Sequence, residues 1–339
     1  MKRLLSAVLA LCLLCACAPA PAMGGTTQST TITTVEATTV TTAIETTTSA
    51  SATTTQPTTS RPYSTTIIKL PTFTTTTTAT TTTTTTRITT TTKPQTPVLR
   101  VLSIGNSYSQ DAHHFLSALA AHEGREIRTV NLFYSGCSLK KHYEFYQNNE
   151  DAYNYEINGK TNWNSHVGLV DILKSEPWDI ITFHEASYAS CKGDSVQPYL
   201  NLLIEVVRKH APNAKLYLHQ TWAYEAKSRR LCEELHYETP AQMLADLKAS
   251  YAKAAQEIDA DGVIPAGEVM YRALELGAPT VHRDTFHAGL GLGRYLLGLT
   301  WYGVLTGRDT DTVVYSDFDA PVSAQELAIA HQAVRDVIK

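Results

Sequence analysis

Apolar runs of strand length alternate with longer stretches of helical periodicity through the C-terminal part of this chain. Nothing else in the sequence restricts its fold as strongly. The runs are LRVLSI (99–104), IRTVNL (127–132), WDIITF (178–183), KLYLH (215–219) and a shorter GVIP (262–265). Continuous β-branched and aromatic runs suit strands buried on both faces, as in a parallel sheet. Between them, Thr239-Pro240-Ala241-Gln242 is a capping box with proline at the first helical position. Leu244, Leu247, Tyr251, Ala255 and Ile258 then recur at three- and four-residue spacing and give that helix one apolar face. Helices are also expected over 112–122, 195–210, 288–305 and 324–337. The pattern predicts a three-layer α/β domain over 98–339 with a central, mostly parallel sheet and right-handed crossovers.

The first 97 residues follow other rules. MKRLLSAVLALCLLCACAPAP joins a basic start to an apolar run far shorter than the roughly 20 residues of a membrane span, the pattern of an export signal. Leu14-Cys15-Ala16-Cys17 reads as a lipobox, which makes Cys17 the expected lipidated N-terminus of residues 18 onward. Cleavage without lipidation within 18–22 is the alternative, because that stretch also offers small residues. Residues 18–97 are dominated by threonine, with a near-continuous run around 75–86. So few apolar groups cannot offset the entropy of folding, so a disordered, extended linker is expected there.

Removing the six basic and two acidic residues before position 98 from the chain's 28 and 32 leaves 22 and 30, a net charge of −8. An acidic domain without a basic stripe argues against nucleic acid as a partner. Cys137, Cys191 and Cys232 are the only cysteines of this domain and have no C-x-x-C spacing, which indicates neither a disulfide framework nor a zinc site.

Active sites of such sheets lie at the carboxyl ends of the strands. The first run ends at Gly105-Asn106-Ser107, and a helix expected to begin near Gln110 would aim its positive end at the same place. Ser109 is the better placed helix cap, which leaves Ser107 for chemistry. The second run leads into Tyr134-Ser135-Gly136-Cys137-Ser138, where a glycine lets a backbone N–H approach a ligand. Late in the chain, Asp284 and His287 stand three apart at the expected start of a helix, so the carboxylate can orient the imidazole as a general base. Cys137 and Cys191 both follow strand ends, where they either meet near the crevice or stay free thiols. Trp222 and Tyr224 follow the fourth run, where they either stack on sugar rings or pack a loop.

Taken together, GNS, the glycine after the second strand and the late D-x-x-H resemble the SGNH (GDSL-like) hydrolase superfamily. IGNSYSQDA, GCSL, WDIITFHEAS and RDTFHAGLGLGRYL resemble its DUF4886-type bacterial branch over nearly all of 98–339. The resemblance implies a flavodoxin-like SGNH fold and ester hydrolysis without metal or cofactor. It also implies Ser107 as nucleophile, His287 as base, Asp284 as its orienter, and the N–H groups of Ser107 and Gly136 as the oxyanion hole. The sequence departs from the superfamily in having Asn106 where aspartate is usual. It departs again in having His184-Glu185 where an amide donor to the oxyanion is usual. His184 as donor, a protonated Glu185, or Glu185 holding a sugar hydroxyl are the readings of that second departure. The expectation is an exported, lipoprotein-type serine esterase of the bacterial cell surface that removes acetyl or other small acyl groups from carbohydrate. A non-catalytic glycan- or cell-wall-binding module is the alternative.

Overall fold

The computed structural model describes residues 97–338; the expected export signal, the expected lipidation site Cys17 and the threonine-rich segment before residue 97 lie outside the described residues. Seven strands form one sheet in the order β4-β3-β2-β1-β5-β6-β7. Five are the predicted runs: β1 (Leu99–Gly105), β2 (Ile127–Phe133), β5 (Ile180–Phe183), β6 (Lys215–His219) and β7 (Gly262–Ile264). All five pair in parallel. Counted alone they run 2-1-3-4-5, the flavodoxin-like doubly wound order.

The other two strands, β3 (Tyr153–Ile157) and β4 (Lys160–Val167), form an antiparallel hairpin on the β2 edge that sequence reading missed. Its turn is Asn158-Gly159, with φ of 49° and 73°. Two consecutive positive φ values define the type I′ turn that Asn-Gly favours, so the signal was present in the sequence.

Side chains of each central strand alternate between two cores. Leu102 and Ile104 of β1 join Val130, Leu132, Ile181, Phe183, Leu216 and Leu218 on one face. That face is covered by α3 (Leu139–Gln147), α4 (Leu169–Ser175), α5 (Tyr199–His210) and α6 (Pro240–Glu257). Val101, Ile127, Ile180 and Ile264 face the other core. It is closed by α1 (Ser107–His113), α2 (Leu116–His122), α7 (Ala266–Glu275), α8 (Leu292–Thr306) and α9 (Ala324–Val337). The domain is therefore a three-layer α/β sandwich, as the alternation of elements predicts.

The α6 capping box forms as expected: Thr239 accepts the Gln242 N–H, and Gln242 reaches back to the Thr239 N–H. Several helix starts move. The helix expected over 112–122 is two short helices with a break at His114 and Phe115, and the first begins at Ser107, not near Gln110. The helix expected from 195 begins at Tyr199, after a short 3-10 turn over Gly193–Ser195 and the cis Gln197-Pro198 bond. The one expected from 288 begins at Leu292. Proline at position 198 and the glycine pair at 289 and 291 explain the last two, since neither residue favours helix interior.

Candidate functional site

The chain adds β2 on one side of β1 and β5 on the other, so the strand order reverses there, and this switch point is where doubly wound sheets hold their ligands. The carboxyl ends of β1, β2 and β5 and the loop before α8 converge there. They line a cleft of about 340 Å³ with Asn106, Ser107, Gly136, Ser187, Arg230 and His287 among its walls.

Asn106, rather than the expected Ser109, caps α1. Its side-chain oxygen accepts the Tyr108 N–H at 2.9 Å, and the Ser109 hydroxyl, one turn inside, accepts the Asn106 N–H at 3.2 Å. The Asn106 amide also donates to the Cys137 carbonyl at 3.0 Å, tying the end of β1 to the loop that carries Gly136. An aspartate could accept as Asn106 does, but it could not make this second bond. Gly105 is required for space: a Cβ there would lie 2.1 Å from the Ser109 hydroxyl and 2.7 Å from the His184 ring. With cap and glycine in place, Ser107 occupies the first helical position and is only partly buried.

Ser107, His287 and Asp284, about 180 residues apart in sequence, come together in one chain of hydrogen bonds. The Ser107 hydroxyl lies 2.9 Å from His287 Nε2, and His287 Nδ1 lies 2.7 Å from Asp284 Oδ2. Asp284 Oδ1 accepts the His287 backbone N–H at 2.8 Å and the Phe286 N–H at 3.4 Å. Partial burial pushes the Asp284 carboxyl upward, but these bonds and the adjacent imidazole outweigh it and hold the group below the usual carboxylate range. Asp284 and His287 lie in a tight turn ahead of α8 and not at a helix start. The turn is closed by Arg283 N–H to His287 carbonyl at 3.1 Å and Gly289 N–H to Val281 carbonyl at 2.8 Å, with Thr285 at φ 74°.

What holds that turn against α1 was not foreseen. Asp111, fully buried one turn beyond Ser107, accepts from Arg283 Nη1 at 2.8 Å, Arg294 Nε at 2.9 Å and the Ala288 N–H at 3.2 Å. The Phe286 carbonyl accepts from both the Tyr108 hydroxyl and the Trp222 indole, each at 2.8 Å. The helix bearing Ser107 and the turn bearing His287 are thus joined by a buried ionic cluster and two aromatic anchors. Trp222 is buried and stacked on Tyr108 with ring centroids 4.0 Å apart, and Tyr224 is buried too, so both pack a loop and neither meets the cleft.

Gly136 sits at φ 62° on the cleft wall, in the left-handed region that suits glycine. Among the described residues, neither its N–H nor that of Ser107 is engaged by a backbone carbonyl or a side chain.

His184 and Glu185 do not line the cleft. Both are buried, at 1% and 2% exposure. Glu185 Oε1 turns away to accept the Ala186 N–H at 2.7 Å and the Leu139 N–H at 3.1 Å, which ties the first residue of α3 to the end of β5. Burial raises its carboxyl to about 7 against the partial opposition of those two bonds. Burial likewise lowers His184 to about 3, and neither of its ring nitrogens has a partner among the described residues. It packs against His219 with ring centroids 5.3 Å apart. A sugar hydroxyl on Glu185 is therefore excluded by burial, and Ser187 and Tyr188 are the residues of this loop that reach the cleft. Cys137 and Cys191 are buried free thiols. The described residues contain no group of three or more His, Cys, Asp or Glu side chains placed to hold a metal ion.

Comparisons with known proteins place this geometry in a family. A crystal structure of a DUF4886 family protein from Bacteroides uniformis superposes with a TM-score of 0.65 at 29% identity, over 71% of this chain and 95% of that one. A Slackia heliotrinireducens protein described as a candidate SGNH hydrolase matches at 22% identity with a TM-score of 0.44, over 62% of this chain and 100% of that one. No curated protein matches the sequence. The model of the family described as "Domain of unknown function (DUF4886)" matches residues 100–337, and the chain belongs to that family.

Proposed function

We propose that this protein is a serine esterase of SGNH type, with Ser107 as nucleophile, His287 as general base and Asp284 as its orienter. The observation that carries the reading is the continuous Ser107–His287–Asp284 hydrogen-bond chain, with links of 2.9 and 2.7 Å, opening onto a cleft at the switch point of the sheet. In this reading the Asp284 carboxylate fixes the tautomer with Nδ1 protonated, so that Nε2 accepts the Ser107 proton as Oγ attacks the ester carbonyl. The tetrahedral oxyanion would be met by the N–H groups of Ser107 and Gly136, and the positive end of α1 adds to the field there. His287 would then protonate the departing alcohol, and water activated by the same imidazole would hydrolyse the acyl-enzyme.

Acetyl or another small acyl group on carbohydrate is the proposed substrate. The volume of the cleft and its mixed lining of Ser135, Ser187, Tyr188 and Phe286 support a small acyl group beside a polar alcohol. Export, with lipidation at Cys17, rests on the N-terminal sequence. The binding-module alternative drew its support from the departure at His184 and Glu185; neither residue lines the cleft, and the Ser107–His287–Asp284 chain favours the esterase. Hydrolysis of p-nitrophenyl acetate by the full chain, set beside Ser107→Ala, tests the reading. Turnover is expected in the first and not in the second; equal rates would overturn it.

A further inference from the structure

Arg230 is the one charged group among the cleft-lining residues whose charge the site described above does not use. It opens a short π-helical turn, Arg230–Glu234, that sequence reading did not single out. Its neighbour Arg229 pairs with Glu233 at 3.1 Å, whereas Arg230 makes no ion pair among the described residues. Its guanidinium instead lies over the Phe286 ring, 4.0 Å from the centroid, and Phe286 lies 4.0 Å from the His287 ring by centroids. Two ring contacts, the second tilted by 38°, therefore separate a cation from the imidazole that faces Ser107. Tyr224 is the polar neighbour set against this guanidinium, and a guanidinium with five N–H donors beside one hydroxyl and one ring keeps donors for a planar, bidentate acceptor. No Asp or Glu lines the cleft, and the Asp284 carboxylate behind it is engaged by His287. In a domain of net charge −8, Arg230 is the one permanently cationic side chain on the cleft wall.

We propose that Arg230 receives an anionic group of the substrate, and that the ester this protein takes carries a carboxylate close to the scissile carbonyl. On carbohydrate, that class is an acylated acidic sugar. The inference rests on the esterase reading for its chemistry, but the recognition step is separable from it. The site would discriminate by leaving Arg230 partly desolvated and without an anionic partner when a neutral ester binds, a penalty an anionic ester does not meet.

The test uses two matched pairs of probes, one for each side of the ester: phenyl acetate against 4-acetoxybenzoate, and p-nitrophenyl butyrate against the mono-p-nitrophenyl ester of glutarate. Binding is measured by ligand-observed NMR on the full chain as Ser107→Ala, alone and combined with Arg230→Gln or Arg230→Lys. Thermal midpoints check that each variant is folded. In at least one pair the anionic member should bind about tenfold or more tightly than the neutral one. The gap should close in Arg230→Gln and return in part in Arg230→Lys. Equal binding within both pairs, no binding of either anionic member, or a gap that persists in Arg230→Gln would overturn the proposal. Turnover of p-nitrophenyl acetate by the unsubstituted chain judges the esterase reading separately, so the two fail independently.

Discussion

Glu185 supplies a prediction whose size follows from the structure. Its carboxyl is buried where the family resemblance calls for an amide, and burial raises it from its ordinary 4.5 to about 7. A carboxyl with a folded-state value above its unfolded one favours the protonated folded state. The penalty is therefore absent below about pH 4.5, grows as pH rises through the interval, and is complete above about pH 7. A shift of this size corresponds to about 3 kcal/mol at full ionisation, most of which accrues between pH 5 and pH 8. Glu185→Gln removes the charge and keeps the oxygen that accepts from Leu139 and Ala186. Urea unfolding of both proteins should show the variant gaining about 2–3 kcal/mol on the wild type between pH 5 and pH 8. An unchanged difference across that range, or a variant that loses ground as pH rises, would refute the placement of Glu185 in a desolvated site.

Other perturbations follow from the same geometry. Asp111→Asn would leave Arg283 and Arg294 without their buried carboxylate and should cost about 3–5 kcal/mol, lowering kcat with it; unfolding curves and esterase kinetics measure the two together. Asn106→Asp, although it restores the residue usual in the superfamily, loses the donor to the Cys137 carbonyl and should cost about 1–3 kcal/mol in unfolding free energy. Gly105→Ala forces a Cβ into Ser109 and His184 and should destabilise by about 1–3 kcal/mol, visible as a lowered thermal midpoint. Asp284→Asn should lower kcat by about a thousandfold or more with KM little changed, because the imidazole loses the group that fixes its tautomer.

How far the sequence disclosed this molecule depended on the range of the interactions involved. β1, β2, β5 and β6 were readable because each is a continuous apolar run, and α6 because its cap and face are both local signals. Ser107 was legible as strand-end chemistry and the Asp284–His287 pair by its three-residue spacing, although that pair lies in a turn and not at the expected helix start, and only the fold brings Ser107 within 2.9 Å of His287. The β3–β4 hairpin was missed despite its Asn158-Gly159 turn, because β4 is largely exposed and lacks a strong apolar alternation. The contact of Asp111 with Arg283 and Arg294 spans more than 170 residues and leaves no local trace. For His184 and Glu185 the resemblance gave the right loop but the wrong direction. Strand-end spacing does not reveal which residue turns inward, and here Ser187 and Tyr188 reach the cleft. Arg230 lies in a single irregular turn with no periodic pattern to mark it.

The account stands or falls on whether Ser107 is activated by His287, and the most direct measurement is active-site labelling with a fluorophosphonate followed by intact-mass and peptide analysis. The expected result is a single adduct on Ser107 that forms in the unsubstituted protein and is lost in Ser107→Ala and, with the fold intact, in His287→Ala. A folded protein that takes no label, or one whose label lands elsewhere or persists without His287, would contradict the claim that this serine is a nucleophile.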